Sequence, residues 1–373
     1  MKSYKTQLEA IRDHKPGINL YLACTGAGAG LQKILWDIPG ASSFLVGCSF
    51  PYATRDTDEF LGFETDTGYC NQEMAMNMAI ESYYRAIKTG NIKDGKLNVG
   101  LGLSASVFSL KEHRGSHRVH VAVVTDNDAY IYNIELKKAN TSRQQDGDIS
   151  DKVGLCAIIH ACLDKSGMYS SLMKELISET NNFEIFDSKE CKEFLSYCFW
   201  KRPYFSKSGK RFPKLVDNEK TGYFAGSFNP PHEGHFGIAN EFINLTGGNV
   251  IFTISGDHPS KGNLDIQEML WRAKLLSGHD RVFTLGEPLF LNKTQNHPNR
   301  AFLMGSDTLL TLLDPKWGPS TSDVIAGLKE ANTRLYISVR SGSEHLDNIV
   351  GLNYIKMDGT WDISSTELRK NNG

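Results

Sequence analysis

The alternation of short apolar strands with helical stretches in the last two-fifths of the chain constrains its fold most strongly. Six strands are predicted there, and helical segments separate them. The predicted strands are residues 222–226, 249–255, 282–285, 300–305, 334–339 and 353–357. Such alternation is typical of a parallel sheet covered by helices on both faces. We therefore predict a Rossmann-like, doubly wound α/β domain over residues 221–373, which binds ligands at the carboxyl ends of its strands.

The first 200 residues predict a separate α/β domain. Its predicted strands are residues 18–23, 44–48, 97–103, 119–125 and 129–136, and its clearest helices are residues 31–36, 72–87 and 150–163. The pattern weakens after residue 165, where two short helices are predicted at 172–177 and 188–198. A stretch rich in Pro, Lys and Ser follows, which is typical of a linker. The predicted organisation is a domain at 1–200, a linker at 201–220 and a domain at 221–373.

Charge and hydropathy exclude several classes of partner. The chain has 373 residues, a formal net charge of -2 and 40% apolar residues. This balance gives no electrostatic footprint for a nucleic acid polymer or an anionic membrane. No apolar stretch is long enough to span a bilayer, and the first residues lack the apolar core of a signal peptide. Seven cysteines without a Cys-x-x-Cys pair predict reduced thiols, so we expect a cytoplasmic protein.

A strand, a turn of small residues and a helix start follow one another near residue 230. The run reads Gly226-Ser227-Phe228-Asn229-Pro230-Pro231-His232-Glu233-Gly234-His235. This geometry presents backbone N–H groups and a helix N-terminus to a phosphate, and the two histidines add protonatable donors. The pair lacks the spacing of a His-Glu-x-x-His zinc site and has no evident third ligand. The run therefore indicates nucleotide chemistry, and no metal site is predicted.

Several further polar fragments lie where a predicted strand gives way to a helix. They are residues 258–261, Arg272 in the next helix, residues 302–307, Arg340 and residues 363–369. Their positions predict that they converge on one edge of the sheet. Two alternatives remain open. His258 and Lys261 could be ordinary loop residues, and Ser364 with Glu367 also has the spacing of a helix capping box.

These motifs resemble the His-x-Gly-His nucleotidyltransferase superfamily over residues 221–370. The segments NPPHEGH and ISSTELR carry the resemblance, which is greatest to the nicotinamide/nicotinate mononucleotide adenylyltransferases. Gly305-x-Asp307 and Trp317 fit that branch. Cytidylyltransferases and pantetheine-phosphate adenylyltransferase share the first motif, so the resemblance specifies the fold more closely than the substrate.

The resemblance implies that a mononucleotide phosphate attacks the α-phosphorus of ATP and releases pyrophosphate, with Mg²⁺ arriving bound to ATP. It implies that His232, His235 and Arg369 are catalytic and stabilise charge on the ATP phosphates. It implies nucleotide contacts, including phosphate contacts by Ser365 and Thr366 and a ribose or base contact by Asp307, for a larger set of residues. That set is Gly226, Ser227, Phe228, Lys261, Arg272, Gly305, Asp307, Arg340, Ser364, Ser365 and Thr366.

The first domain resembles the CinA-like nicotinamide-mononucleotide amidohydrolases over residues 20–136. The fragments that carry the resemblance are Cys24-Thr25-Gly26-Ala27-Gly28, Pro39-Gly40-Ala41-Ser42-Ser43-Phe44, Tyr52 and Leu61-Gly62. Ala23 occupies the position of the family's nucleophilic serine, and Thr57 the position of its lysine. An alanine methyl group cannot attack a carboxamide, so we predict loss of amidase activity.

The role of the first domain stays open at this level. Cys24 or Ser49 could serve as a different nucleophile, although no activating base is evident nearby. The turn at residues 26–30 could bind a phosphate or could simply allow tight packing. We interpret the domain as a scaffold, an oligomerisation module or a ligand sensor. The resemblance implies a homo-oligomer that forms through it.

The leading hypothesis is adenylyl transfer from ATP to nicotinamide or nicotinate mononucleotide. One alternative is a bifunctional enzyme that also deamidates nicotinamide mononucleotide. Others are a nucleotidyltransferase with another phosphorylated acceptor or a cytidylyl donor, and a non-catalytic nucleotide sensor.

Overall fold

The chain forms two compact units, Met1–Lys201 and Arg202–Gly373, which we call the first and second unit. The computed structural model describes residues 4–89, 95–110, 114–138, 142–163, 168–215, 217–258, 262–287, 289–339, 349, 351–357, 361, 365 and 368. Among the helices in these ranges, none is long and apolar enough to cross a membrane.

The first unit contains one mixed sheet with helices packed against it. Its elements are α1 (Lys5–Arg12), β1 (Ile18–Thr25), α2 (Ala29–Trp36), β2 (Leu45–Ser49), α3 (Thr54–Leu61), α4 (Gln72–Thr89), β3 (Leu97–Ser106), β4 (Arg118–Thr125), β5 (Ala129–Leu136), α5 (Arg143–Leu163), α6 (Met168–Glu179), β6 (Thr180–Ile185) and α7 (Ser188–Trp200). The strand order is β2-β1-β3-β4-β5-β6. β1 is parallel to β2 and β3, and the remaining neighbours are antiparallel.

Two glycines of β3 explain how closely α4 packs on the sheet. A Cβ atom at Gly100 would lie 2.1 Å from the backbone nitrogen of Tyr83, and one at Gly102 would lie 2.1 Å from the carbonyl oxygen of Ala75. The backbone of α4 therefore rests on the strand where no side chain intervenes. This contact buries α4 on nearly every side, and its buried residues include Glu73, Asn77 and Glu81.

The second unit is built on a larger sheet. Its elements are β7 (Tyr204–Phe205), β8 (Arg211–Phe212), β9 (Thr221–Ala225), α8 (Glu233–Thr246), β10 (Asn249–Ser255), β11 (Asp257–His258), β12 (Gly262–Asn263), α9 (Ile266–Leu275), β13 (Asp280–Thr284), α10 (Phe290–Asn296), β14 (Ala301–Gly305), α11 (Ser306–Leu313), α12 (Thr321–Glu330), β15 (Arg334–Ser338) and β16 (Ile355–Met357). The main strand order is β16-β15-β14-β9-β10-β13-β7-β8, and β11 pairs separately with β12.

The six strands predicted for this unit are all present, and they are parallel to one another. The predicted α/β class is thus confirmed. β9 is the first of the six along the chain, and it lies between β10 and β14. The chain therefore runs outward from β9 in one direction and later returns to continue in the other. The switch point of the sheet lies at the carboxyl ends of β9 and β14, where ligands bind in folds of this kind.

The structure differs from the sequence interpretation at the predicted linker, residues 201–220. This segment contributes β7 and β8, which extend the sheet beyond β13 through antiparallel pairing. Phe205 is fully buried, with its ring centroid 6.0 Å from that of Phe283. Strands of two residues are too short to produce an alternating apolar pattern. The prediction of a linker therefore rested on the Pro and Lys content of the segment.

Candidate active site

The run that carries the two histidines connects β9 to α8 at the switch point. His232 is the N-cap residue of α8, with an extended backbone (φ -143°, ψ 173°), and Glu233 opens the helix. His235 lies in the first turn, where its backbone N–H donates to the carbonyl oxygen of His232 over 2.9 Å. Both imidazoles therefore lie at the positive end of the helix dipole.

Phe228 anchors the loop between β9 and α8. Its ring is 1% exposed and meets the rings of Phe224, Phe252 and His235 edge-on, with centroid distances of 5.3, 5.0 and 4.9 Å. The backbone adopts a left-handed conformation at Phe228 (φ 46°), which is unusual for an aromatic residue. Burial of the ring offsets that strain. A ligand contact by Phe228, which the resemblance implies, must therefore come from its backbone.

Gly226 is required by the same arrangement. A Cβ atom at this position would lie 2.8 Å from the Phe228 ring. Only glycine lets the loop turn back over its own aromatic anchor.

The two histidine rings form one unit. Their centroids are 3.7 Å apart with an interplanar angle of 30°, and the backbone N–H of His232 donates to Nδ1 of His235 over 3.1 Å. Because Nδ1 accepts this hydrogen bond, a neutral His235 carries its proton on Nε2. The geometry fixes the tautomer that can donate to a phosphoryl oxygen.

Arg272 holds the loop from α9. Its guanidinium donates to the carbonyl oxygen of Ser227 over 3.1 Å and to Glu268 over 2.8 Å. The same Glu268 oxygen accepts from Asn229 over 3.1 Å. Arg272 is 9% exposed, whereas the Glu268 side chain reaches solvent with 33% of its surface. The structure thus brings Arg272, predicted from the sequence, to the His-x-Gly-His loop.

The C-terminal motif meets the first motif at two described residues. The Ser365 hydroxyl donates to the carbonyl oxygen of Pro230 over 2.9 Å, across 135 residues of sequence. The Trp361 indole packs on α8 so closely that a Cβ atom at Gly237 would lie 2.1 Å from its ring. Two segments that are distant along the chain therefore share one site, as the sequence predicted for Ser365.

Gly305 and Asp307 lie at the switch point, at the end of β14 and the start of α11. Gly305 is the N-cap residue of α11. The carboxylate of Asp307 folds back over it, 2.7 Å from the position that a Cβ atom would take. Asp307 is exposed in the first turn of the helix. The other predicted site residues, Lys261, Arg340, Ser364, Thr366 and Arg369, lie outside the described residues.

A cavity of about 600 Å³ opens beside the loop. Predicted residues Gly226, Ser227 and Arg272 line it, together with apolar side chains from the start of α10 and polar ones from α11. The lining residues outside the predicted set of site residues are Ala225, Asn229, Thr253, Ile254, Ser255, Leu264, Leu289, Phe290, Leu291, Lys293, Thr308, Thr311, Leu312, Gly318, Pro319 and Val324. An apolar cavity with a few polar groups is typical of small-molecule sites.

In the first unit, Ala23, the position that the resemblance assigns to a nucleophile, lies in an apolar cluster. Ala23 is fully buried with Phe60, Phe63 and Met74. Thr57 is 1% exposed, and its hydroxyl donates to the carbonyl oxygen of Ala53 in its own helix. Neither side chain can supply a nucleophile or a base.

The alternative nucleophiles are poorly placed as well. Burial raises the pKa of the Cys24 thiol well above its usual value, so no thiolate forms near neutral pH. The Ser49 hydroxyl is 2.7 Å from the hydroxyl of Tyr21, whose partner Arg85 is a cation and cannot act as a base. The observed surroundings of both residues support the predicted loss of amidase chemistry.

A carboxylate occupies the N-terminus of α2, where the turn at residues 26–30 could have bound a phosphate. Oδ1 of Asp151 accepts from the backbone N–H of Leu31 over 3.0 Å. Its other oxygen lies 2.0 Å from where a Cβ atom of Gly30 would stand. Burial raises the Asp151 pKa to about 6. This internal anion takes the position that an external phosphate would need.

Comparison with known proteins finds one family model that matches the second unit. A family model described as cytidylyltransferase-like matches residues 223–371. The second unit therefore carries a cytidylyltransferase-like nucleotidyltransferase domain. No curated protein matches the chain.

Two solved structures are similar to part of the chain. One is the competence/damage inducible protein CihA from Agrobacterium tumefaciens, at 18% identity and a TM-score of 0.35, covering 42% of this chain and 93% of that one. The other is a competence-damaged protein (CinA) superfamily protein from Escherichia coli, at 12% identity and a TM-score of 0.33, covering 42% of this chain and 86% of that one.

Proposed function

We propose that the second unit transfers the adenylyl group of ATP to nicotinamide or nicotinate mononucleotide and releases pyrophosphate. The observation that carries this proposal is the hydrogen bond from Ser365 to the carbonyl of Pro230. It joins the two motifs of the resemblance beside the stacked histidines at the start of α8. Nucleotidyl transfer requires the two phosphate-binding motifs to lie together, and a purely structural loop does not.

The reaction needs no protein nucleophile. A phosphate oxygen of the mononucleotide attacks the α-phosphorus of ATP, a new P–O bond forms, and the bond to the β-phosphate breaks so that pyrophosphate leaves with the electron pair. The protein contributes positioning and stabilisation of charge on the phosphoryl oxygens. In this proposal, His232 and His235 donate to those oxygens, with His235 acting through Nε2. Arg272 keeps the Ser227 carbonyl, and with it the loop, in place.

Mg²⁺ would enter with ATP. In the part of the chain that the structure describes, no group of three His, Cys, Asp or Glu side chains could hold a metal ion. A cation bound mainly by phosphate oxygens and water fits this donor set, since Mg²⁺ often binds proteins through substrate phosphates. Its contribution when bound is to neutralise charge on the phosphates.

The choice of acceptor rests on two supports. The cavity beside the loop has apolar walls suited to a planar ring and lies at the switch point. The first unit also resembles amidohydrolases of nicotinamide mononucleotide, so both units resemble proteins that handle one metabolite. We propose that the first unit has no amidase activity and serves as a scaffold, a ligand sensor or the contact of a homo-oligomer.

Cytidylyl transfer to a phosphorylated alcohol is the second candidate, because the matching family model is described as cytidylyltransferase-like. Four reactions separate the candidates: ATP or CTP with a pyridine mononucleotide, and ATP or CTP with a phosphorylated alcohol such as glycerol 3-phosphate. Products are resolved by chromatography, and pyrophosphate is measured in parallel. We expect dinucleotide from ATP with a pyridine mononucleotide. Product from CTP alone would replace the proposal with the second candidate, and binding without product would favour a sensor.

A further inference from the structure

Lys293 of α10 is a buried cation at the cavity wall. Its side chain is 6% exposed. The ammonium donates to the hydroxyl of Ser255 over 2.6 Å, to the carbonyl oxygen of Glu287 over 2.8 Å and to the hydroxyl of Thr284 over 3.1 Å. A lysine ammonium has three donors, and these three bonds use all of them.

The three acceptors belong to separate parts of the site. Ser255 is the last residue of β10, Thr284 is the last residue of β13, and Glu287 lies in the connection to α10. The Ser255 hydroxyl also lies 3.2 Å from the carbonyl oxygen of Glu287. Lys293 and Ser255 both line the cavity, which Gly226, Ser227 and Arg272 also line. One side chain thus joins two strand ends and a connecting segment at the wall of the cavity.

We infer that Lys293 is a positioning residue for the acceptor mononucleotide, because it fixes the wall of the cavity in which the acceptor ring binds. This inference rests on the proposed function. All three ammonium protons are used within the protein, so Lys293 acts through Ser255, Thr284 and Glu287, and it does not contact the phosphates of ATP.

The charges around Lys293 make this arrangement sensitive to pH. Burial lowers its pKa to about 8, and the carboxylates of Glu287, 3.8 Å away, and Asp257 oppose that decrease. Burial also lowers the pKa of His297, so its ring is neutral where Lys293 titrates. As the pH rises through about 8, the ammonium loses a proton and one of its three hydrogen bonds. The wall is therefore most firmly fixed well below pH 8, and it loosens as the pH rises through 8.

The first test separates acceptor binding from chemistry. Lys293→Met removes all three hydrogen bonds. We expect the acceptor KM to rise about tenfold or more, because a charged hydrogen-bond donor is lost. We expect kcat and the KM for ATP to change much less, since the His-x-Gly-His loop is held by Arg272. Lys329→Met, the same change at an exposed lysine of α12, is the matched control and should leave all constants unchanged.

The second test starts from the wild-type protein. In the wild-type protein, we expect the acceptor KM to rise between pH 7 and 9 with a midpoint near 8. Thr284→Val removes one acceptor of Lys293 at nearly constant volume. It should also raise the acceptor KM, by a smaller factor than Lys293→Met does.

Each outcome decides the inference. If Lys293→Met lowers kcat and raises both KM values by similar factors, Lys293 contributes only to stability and the inference is wrong. A flat wild-type acceptor KM between pH 7 and 9, with no effect of Thr284→Val, would overturn it even if Lys293→Met fails to fold. Absence of dinucleotide from the wild-type protein would instead refute the proposed function, so the two failures are distinguishable.

Discussion

The residues at 232 and 235 illustrate what local sequence can and cannot specify. The spacing of the two histidines after a small-residue turn predicted a phosphate site at a helix N-terminus, and both rings lie there. The hydrogen bond from His232 N–H to Nδ1 of His235, which selects the tautomer, depends on cap geometry that spacing alone does not reveal. Lys293 gave no signal at all. It lies in a polar helix, and it is buried against Ser255 and Thr284, which end two other strands of the sheet.

Arg272 provides a prediction at this scale. Its guanidinium contacts Ser227 and Glu268 at once, and a lysine ammonium cannot reproduce that planar fork. We expect Arg272→Lys to lower kcat/KM for dinucleotide formation by about tenfold, as one charged hydrogen bond is lost. Steady-state kinetics with ATP varied at saturating mononucleotide would measure this. Unchanged kinetics would mean that the loop is held without Arg272.

Asp151 provides a prediction about stability and pH. Its folded pKa of about 6 lies above its ordinary value of 3.8, so the folded state binds the proton more tightly than the unfolded state. This group's contribution to the free energy of unfolding is therefore greatest below about pH 4 and declines as the pH rises to about 6. Asp151→Asn removes that decline. Urea unfolding at pH 4.5 and pH 7 should show the variant gaining stability relative to the wild type at the higher pH. A constant difference between the two proteins would contradict this account of Asp151.

At the scale of elements, the sequence predicted long and strongly patterned segments well. The six parallel strands of the second unit and the long helix α4 follow from apolar runs and helical spacing. The elements that it missed are all short. They are α1, α3, β6, β7, β8, β11 and β12. β7 and β8 exist because they pair with an edge strand, and that information lies outside their own residues.

The contact of Trp361 with α8 predicts how a methyl group added at Gly237 changes the stability of the protein. Gly237→Ala should stabilise an isolated helix by about 1 kcal/mol. Here the new Cβ atom would overlap the indole at 2.1 Å, and overpacking costs about 1–3 kcal/mol. We expect the overlap to dominate, so that the variant is less stable and its KM for ATP rises as Ser365 is displaced.

Asn240→Ala on the exposed face of the same helix is the matched control. It should be neutral or slightly stabilising. A Gly237→Ala protein as stable and active as the control would show that the C-terminal segment does not depend on this contact.

At the scale of the whole molecule, the two units differ in the functional groups that their candidate sites contain. The second unit keeps its paired histidines and the contact between its two motifs. The first unit has a buried alanine at the position that the resemblance assigns to a nucleophile, and an internal carboxylate at the N-terminus of α2. Sequence comparison of motifs predicted the lost nucleophile. The carboxylate at α2 comes from α5, so only the folded chain reveals it.

This contrast predicts a protein with one catalytic centre. Incubation with nicotinamide mononucleotide alone should release no ammonia above the uncatalysed rate, because Ala23 and Thr57 offer neither nucleophile nor base. A coupled ammonia assay would test this. Ammonia release that survives His235→Ala would establish a second active site in the first unit.

The central claim is that the paired histidines of the second unit perform adenylyl transfer. The most direct measurement compares dinucleotide and pyrophosphate formation by the wild-type protein and by His235→Ala, with ATP, Mg²⁺ and either pyridine mononucleotide. We predict equimolar products from the wild type and a decrease of about 10²–10³-fold in kcat for the variant, as for loss of one preorganised donor. The free energy of unfolding should fall by only about 1 kcal/mol, the cost of a lost helix cap. Absence of dinucleotide from the wild-type protein with both mononucleotides, or undiminished turnover by His235→Ala, would contradict the claim.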